Sequence, residues 1–196
     1  MRLIFIRHGE TDWNVHKKIQ GCTDIPLNEM GIIQAESLGR QLEKENLDIK
    51  KIYTSKLVRA RKTAEIIGEI LHVPYEAYEG LEEMNLGLWE GKTWVDVPQL
   101  YPEEYEKWHE NRRYTKTPEG ESYQDVLVRV LAAVKEIIER ETGDIVIVTH
   151  SAIIMTLQSF IYDTPFHEMA KRYKLRNAGL VIVAEKEIEM LKNSTF

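Results

Sequence analysis

Two uninterrupted apolar runs, Leu3-Ile4-Phe5-Ile6 and Ile145-Val146-Ile147-Val148, constrain the fold of this chain more than any other feature. Four consecutive apolar residues present no polar face to water. Each run therefore reads as a strand buried on both sides, the environment of a parallel sheet. The first leads into Arg7-His8-Gly9-Glu10-Thr11 and the second into Thr149-His150. Open α/β sheets bind ligands outside the carboxyl ends of their strands, so both histidines are expected at one ligand-binding edge. Arg7 beside His8 makes an anion the natural ligand.

The segments between the runs carry the signals of alternating helices and strands. Asn28 can cap a helix from about residue 30 to 45, with Ile33, Leu38 and Leu42 on its apolar face. Residues 49–54 read as a strand, followed by a helix over 58–71 with Ala60, Ala64, Ile67 and Leu71 at helical spacing. Residues 74–79, rich in tyrosine and glutamate, suit a short edge strand. Ser122 and Asp125 form a capping-box-like start for a helix to residue 141 carrying Val126, Val130, Ala133, Val134, Ile137 and Ile138. Residues 145–149 are the central strand, and a helix from about 153 to 162 follows. Residues 181–184 and 188–191 read as two strands pairing across Glu185-Lys186-Glu187. This pattern predicts an α/β fold: a three-layer, mostly parallel open sheet with helices on both faces. No repeat, low-complexity run or linker interrupts it, so residues 1–196 read as a single domain. Residues 94–117 differ in character, with Trp94, Tyr101, Tyr105, Trp108 and Tyr114 beside Arg112, Arg113 and Lys116. They read either as a small inserted helical cap or as an ordinary peripheral helix.

Composition narrows the function classes. An apolar share of 43% suffices for a core, and a net charge of −6 argues against a general nucleic-acid binder while leaving room for a small basic pocket. Cys22 is the single cysteine, which excludes an internal disulfide and a cysteine-based zinc cluster and fits a reducing compartment. The apolar start is too short for a signal peptide. The longest apolar stretches, such as Leu180-Val181-Ile182-Val183-Ala184, fall far short of a membrane span. The expectation is a cytoplasmic protein with no nucleic-acid or membrane partner, and an edge strand near 181–184 offers a surface for a homodimer.

A phosphomonoester site needs a nucleophile, cations for the phosphoryl oxygens and a proton donor for the leaving alcohol. Neutral imidazole is an adequate nucleophile near neutral pH, and His8 stands at a strand end with Gly9 beside it to let backbone approach the ligand. Arg7 adds a planar fork suited to phosphate. His150 precedes a helix start, itself an anion site. Arg59 follows the strand-end Ser55 by four residues, inside Ser55-Lys56-Leu57-Val58-Arg59-Ala60-Arg61-Lys62-Thr63-Ala64. The remaining histidines, His16, His72, His109 and His167, read as structural, and Arg61 and Lys62 as solvated helix charges. Cys22 reads as packing, because the Cys-x5-Arg loop of thiol phosphatases is absent, with Asn28 where its arginine would stand. Ser151 lies in no Gly-x-Ser-x-Gly elbow. Neither an Asp-x-Asp signature nor a His-x-x-x-His pair occurs, so no metal or other cofactor is expected.

Several segments, in order along nearly the whole chain, resemble the histidine phosphatase superfamily, also called phosphoglycerate mutase-like. They are Arg7-His8-Gly9-Glu10-Thr11 with Trp13-Asn14, Gln20-Gly21 with Asp24-Ile25-Pro26-Leu27 and Gly31, and the segment from Ser55 to Ala64. Leu81-Glu82-Glu83 with Gly87, Trp89-Glu90-Gly91, Pro118-Glu119-Gly120-Glu121-Ser122 and Val148-Thr149-His150 complete the set. The resemblance implies that His8 becomes a phosphohistidine. It implies that Arg7, Arg59 and His150 form the phosphate pocket, and that Glu83 is general acid and then base. Asn14, Gln20 and Ser151 would be further substrate contacts. Ser151 and Ala152 stand where the family often has glycines, and Lys17-Lys18 replace an arginine often found before the glutamine. From spacing alone Glu82 competes with Glu83.

The resemblance implies a metal-independent phosphomonoesterase acting on small phosphorylated metabolites. A cofactor-dependent phosphoglycerate mutase is the first alternative. Its Tyr-Gly-x-Leu-x-Gly motif is replaced here by Leu86-Gly87-Leu88-Trp89-Glu90-Gly91. That form resembles the phosphatase branch, which includes broad-specificity phosphatases, α-ribazole-5′-phosphate phosphatase and fructose-2,6-bisphosphatase. A non-catalytic phospho-ligand binding protein is a further alternative, although pure binding needs neither His8 nor Glu83. The leaving group is expected towards residues 94–117, whose aromatics suit a ring and whose Arg112, Arg113 or Lys116 suit a carboxylate or second phosphate.

Overall fold

The computed structural model describes residues 1–193. Its strands are β1 (Leu3–Arg7), β2 (Ile49–Thr54), β3 (Tyr75–Ala77), β4 (Asp144–Thr149) and β5 (Leu180–Val183). They form one sheet in the order β3-β2-β4-β1-β5, parallel throughout except for β5, which runs antiparallel to β1. The helices are α1 (Asp12–Val15), α2 (Glu29–Glu43), α3 (Val58–Leu71), α4 (Val97–Leu100), α5 (Pro102–Glu110), α6 (Tyr123–Arg140), α7 (Ser151–Ile161), α8 (Met169–Tyr173) and α9 (Glu185–Asn193). Among the described residues no helix is long and apolar enough to cross a membrane.

The two-residue period of the strands builds the three layers. Leu3, Phe5, Tyr53, Ile145 and Ile147 join one buried cluster with residues of α6, α7, α8 and α9. Ile4, Ile6, Ile52, Val146 and Val148 point the other way and pack on Leu38 and Leu42 of α2 and Ala60, Ala64 and Ile67 of α3. Both central runs are thus buried on two sides, as their unbroken apolar sequence requires, and the α/β expectation holds. The Asn28 side chain caps α2 by accepting from the Gly31 amide at 2.9 Å. Ser122 and Asp125 close a reciprocal capping box on α6.

Two expectations are corrected. Residues 188–191 form no strand; they lie within α9. Ile188 and Leu191 are both buried while Met190 is 45% exposed, a three-residue spacing that matches a helix and not a strand's alternation. Ile33 does not join the apolar face of α2, because five residues separate it from Leu38, which puts it on another side. It is 56% exposed, and the buried positions are Gly31, Ala35, Leu38, Gly39 and Leu42.

Residues 94–117 contain α4 and α5, with an aromatic cluster beneath them. Trp89 and Trp108 are buried and meet edge to face at 5.3 Å, Trp94 stacks on Trp108 at 5.6 Å, and Trp108 contacts Tyr123 of α6 at 6.2 Å. Such pairs are worth about 0.5–1.5 kcal/mol each beyond area burial. These aromatics root the segment on the domain, with Trp94 left half-exposed.

Sheet topology selects one functional edge. β1 and β4 are adjacent and parallel, in register from Leu3 opposite Ile145 to Arg7 opposite Thr149. The chain leaving β1 passes to helices on one face, and the chain leaving β4 enters α7 on the other. Adjacent strands whose connections diverge leave a crevice between them, the switch point at which open α/β sheets take their ligands.

Candidate active site

His8 and His150 emerge side by side at this crevice. The His8 amide donates to the Thr149 carbonyl at 3.0 Å, one step beyond the ladder, and the two imidazole rings lie 5.2 Å apart. Both side chains are buried. His8 Nδ1 lies 2.7 Å from the Gly9 carbonyl. A carbonyl only accepts, so this contact places the ring proton on Nδ1 and leaves the Nε2 lone pair free. Burial, then the Arg59 and Arg7 cations, hold the His8 pKa well below its ordinary range. The same forces, with His8 itself, act on His150. Both rings are therefore neutral near pH 7. Neither nitrogen of His150 has a hydrogen-bond partner among the described residues, and an orphaned buried imidazole needs an explanation.

Two arginines flank His8. Arg7, the last residue of β1, donates through Nη1 to the Leu175 carbonyl at 2.6 Å. Arg59, in the first turn of α3, is fully buried and donates through Nη1 to the Thr23 carbonyl at 2.8 Å and through Nη2 to the Gly21 carbonyl at 2.7 Å. In both residues Nε is buried without a partner among the described residues. Burial lowers both arginine pKa values, opposed by Glu83, yet guanidinium remains charged at any pH of interest. The result is a small cationic pocket inside an acidic molecule.

Glu83 is the carboxylate that faces this pocket. Its Oε1 accepts from the Met84 amide at 2.9 Å, and its Oε2 from the Ala152 amide at 3.3 Å. Burial raises its pKa, countered by the Met84 amide, Arg59, the Ala152 amide and Arg7. Glu82 turns elsewhere, accepting from the Gly80 amide at 2.9 Å and pairing with Lys56 at 3.4 Å. The start of α7 thus holds the Glu83 carboxyl, as expected of a helix N-terminus. Ser151, the first residue of α7, is half-buried there.

The other expected contacts take mixed positions. Asn14 caps α1 jointly with Thr11, and its Oδ1 accepts from the Thr11 amide and from Asn177 Nδ2 at 3.0 Å. Gln20 is buried with Oε1 unpartnered among the described residues. Gly9 serves a packing need as well as any approach to ligand: a Cβ there would lie 2.4 Å from the Gly31 carbonyl oxygen. Three cations of residues 94–117 have contacts within the protein, while Arg112 Nε is buried with no hydrogen-bond partner among the described residues. Arg112 lies over Trp108 at 4.5 Å, Arg113 donates to Gln124 at 2.8 Å, and Lys116 pairs with Asp125 at 3.2 Å. A cleft of about 580 Å³ opens between residues 109–113 and 159–167, away from the strand-end histidines. Among the described residues no group of three or more His, Cys, Asp or Glu could hold a metal ion.

Three supporting elements escaped the sequence reading. Arg129 of α6 donates to the carbonyls of Gly80, Glu82 and Glu83 and to both carboxylate oxygens of Glu121, fixing the loop that presents Glu83. Its signal was a charge three residues after Val126, beside the apolar face. Asn177 Nδ2 donates to the His8 and Gly9 carbonyls, at 3.3 and 3.2 Å, and backs the loop after β1. Glu90, quoted above only within Trp89-Glu90-Gly91, organises the loop that holds Arg59.

Known proteins are similar to this chain in sequence and in fold. The chain is 33% identical over 169 residues to the 6-phosphofructo-2-kinase/fructose-2,6-bisphosphatase 3 of Rattus norvegicus, an overlap of 86% of this chain and 29% of that protein. It thus spans less than a third of that relative's length. It is 32% identical over 155 residues to phosphoserine phosphatase 1 of Hydrogenobacter thermophilus, covering 79% of this chain and 72% of that one. The solved structure of a mycobacterial glucosyl-3-phosphoglycerate phosphatase in complex with VO3 aligns with a TM-score of 0.82 and 29% identity, over 93% of this chain and 90% of that one. Residues 3–190 match the family described as histidine phosphatase superfamily (branch 1), and the chain belongs to that superfamily.

Proposed function

We propose that the chain is a phosphoric monoester hydrolase that works through a phosphohistidine on His8, without a metal, on small phosphorylated metabolites. The observation that carries this reading is the state of His8. Its Nδ1 is bound to the Gly9 carbonyl, its ring is held neutral, and it stands by the buried Arg59 and the half-buried Arg7, which also act on a carboxyl of raised pKa, Glu83. In the first step Nε2 attacks phosphorus, the P–O ester bond breaks, and protonated Glu83 gives its proton to the departing alkoxide. Arg7, Arg59 and His150 stabilise charge on the equatorial oxygens, with no reorganisation needed at the moment of transfer. In the second step ionised Glu83 takes a proton from water, the water oxygen attacks phosphorus, the P–N bond breaks, and His8 is released. The site returns to its starting state with inorganic phosphate formed.

The family relatives named as phosphatases support hydrolysis over transfer back to substrate, as does the Trp89-Glu90-Gly91 form. Cys22, a free cysteine and the single one in the sequence, supports a reducing, cytoplasmic setting. The decisive experiment is acid-quench trapping with a labelled aryl phosphate in excess chelator. We expect an acid-labile phosphoenzyme in the wild type and none in His8→Ala. Turnover persisting in His8→Ala removes the proposal. Efficient 3- to 2-phosphoglycerate conversion in the presence of bisphosphoglycerate replaces it with a mutase.

A further inference from the structure

The loop that grips Arg59 is itself held by one carboxylate. Glu90 Oε1 accepts from the Cys22 amide at 2.8 Å and the Leu86 amide at 3.1 Å. Its Oε2 accepts from the Thr23 amide at 2.9 Å and the Thr23 hydroxyl at 2.5 Å. Gathering these amides on one side turns the Gly21 and Thr23 carbonyls to the other, where both Nη atoms of Arg59 bind them. Gly21 fits the same device. Its φ is +50°, and a Cβ there would lie 1.9 Å from Glu90 Oε1, so only glycine leaves room for the carboxylate. Asp24 of the same loop accepts from the Val58 amide at 2.7 Å and ties it to the start of α3.

A guanidinium is a rigid fork. With Nη1 and Nη2 fixed by two carbonyls, the direction of Nε follows, and this buried donor has no other partner among the described residues. We propose that Glu90 is a positioning residue of the phosphate pocket, setting the orientation of Arg59 through the Gly21 and Thr23 carbonyls. The inference rests on the proposed role of Arg59 as a phosphate ligand. Glu90 touches no reacting atom in this scheme. Its negative charge also supports the buried cation, behind Glu83 and Asp24.

The test is a double-mutant cycle read by binding of inorganic phosphate, with kcat/KM for an aryl phosphate alongside. Glu90→Gln is isosteric, but its NH2 must face either the two N–H donors on Oε1 or the Thr23 amide, so at least one backbone hydrogen bond is lost along with the negative charge. We expect Glu90→Gln to weaken phosphate binding about tenfold and to lower kcat/KM at least as much. In an Arg59→Ala background it should change phosphate affinity by less than about twofold, because the group it positions is gone. Effects that multiply across the two sites overturn the proposal. So does a Glu90→Gln protein with a lower Tm but wild-type phosphate affinity. If Arg59→Ala itself binds phosphate normally, the pocket assignment beneath fails instead. Thr23→Val removes a single bond to the same carboxylate and serves if Glu90→Gln does not fold. A shift in phosphate affinity of about two- to fivefold supports the chain of contacts, and an unchanged affinity overturns it.

Discussion

Removing the Arg129 fork while keeping its bulk tests whether α6 positions Glu83 or merely packs beneath it. Arg129 and Glu121 make a two-pronged pair at 2.8 and 3.0 Å, with both side chains about a quarter exposed. Three backbone carbonyls complete the coordination of Arg129, at 2.8 to 3.1 Å. Breaking a fully buried pair by deleting one partner costs about 3–5 kcal/mol. Partial exposure lets water recover some of this, so Arg129→Met should cost about 2–4 kcal/mol. In a chain of this size each kcal/mol moves Tm by about 2–4 °C, which gives a fall of roughly 4–16 °C by differential scanning calorimetry. The Glu83 carbonyl loses its anchor at the same time. A misplacement of about 1 Å at a reacting group costs on the order of 100-fold, so kcat/KM measured well below the new Tm should drop by about that factor. Arg129→Lys should recover part of the stability through its charge but less of the activity, since an ammonium cannot span three carbonyls and a carboxylate. A Tm fall with unchanged kcat/KM refutes the positioning argument. A Tm within about 1 °C of wild type refutes the energetic one.

Other outcomes follow from the same geometry. The reaction needs His8 neutral and Glu83 protonated. The histidine pKa is lowered from 6.5 and the carboxyl raised from 4.5, so kcat/KM should hold up below the ordinary histidine range and decline at higher pH as Glu83 ionises. Glu83→Gln should erase the declining limb, and a wild-type profile flat to pH 9 contradicts the acid role. Stability should also fall below about pH 6.5, where the unfolded chain protonates His8 and His150 and the native state does not. Each histidine contributes a slope of about 1.4 kcal/mol per pH unit, partly offset by Glu83 in the window above 4.5 where only the native carboxyl stays protonated. Urea titrations at pH 5 and 6.5 measure the net slope, and equal midpoints count against two neutral buried rings. The Cys22 thiol, pushed up to about 11 by burial and by the Glu90, Glu121 and Glu83 carboxylates, should react with iodoacetamide at pH 7.5 roughly 100-fold more slowly than a free thiol; a rate like that of glutathione would contradict it. Gly9→Ala should destabilise by about 1–3 kcal/mol, because its Cβ would press on the Gly31 carbonyl. An unchanged urea midpoint would show that this contact relaxes freely.

What could be read in the sequence follows a physical division. Helix α3 was legible to the residue, and α2 and α6 nearly so, because caps and apolar periodicity are local signals. The strand-end positions of His8 and His150 were legible because unbroken apolar runs leave few alternatives. α9 was misread as a strand because Ile188 and Leu191 in a short charged segment fit more than one period until burial decides between them. The supporting contacts were illegible for a different reason. Arg129 reaches Glu82 across 47 positions, Glu90 reaches Cys22 across 68, and Asn177 reaches His8 across 169. A lone polar side chain carries no mark of such a distant backbone partner. Arg112, Arg113 and Lys116 show the converse: their charges invite a ligand in the sequence, and the fold also gives each a protein partner, which no local pattern announces.

The register between β1 and β4 has a consequence for quality control. The paired histidines stand at equal height only because Leu3 faces Ile145 and Arg7 faces Thr149. Sliding one strand past the other by a single residue would shift His8 by about 3.3 Å and turn it to the opposite face of the sheet. The same slip would turn Leu3 and Phe5 out of one buried cluster and Ile4 and Ile6 out of the other. A misthreaded molecule would therefore be inactive and loosely packed at once, so proteases that recognise exposed apolar chain would remove the very copies that fail to turn over. For such a protein, surviving proteolysis is already an assay of catalytic assembly.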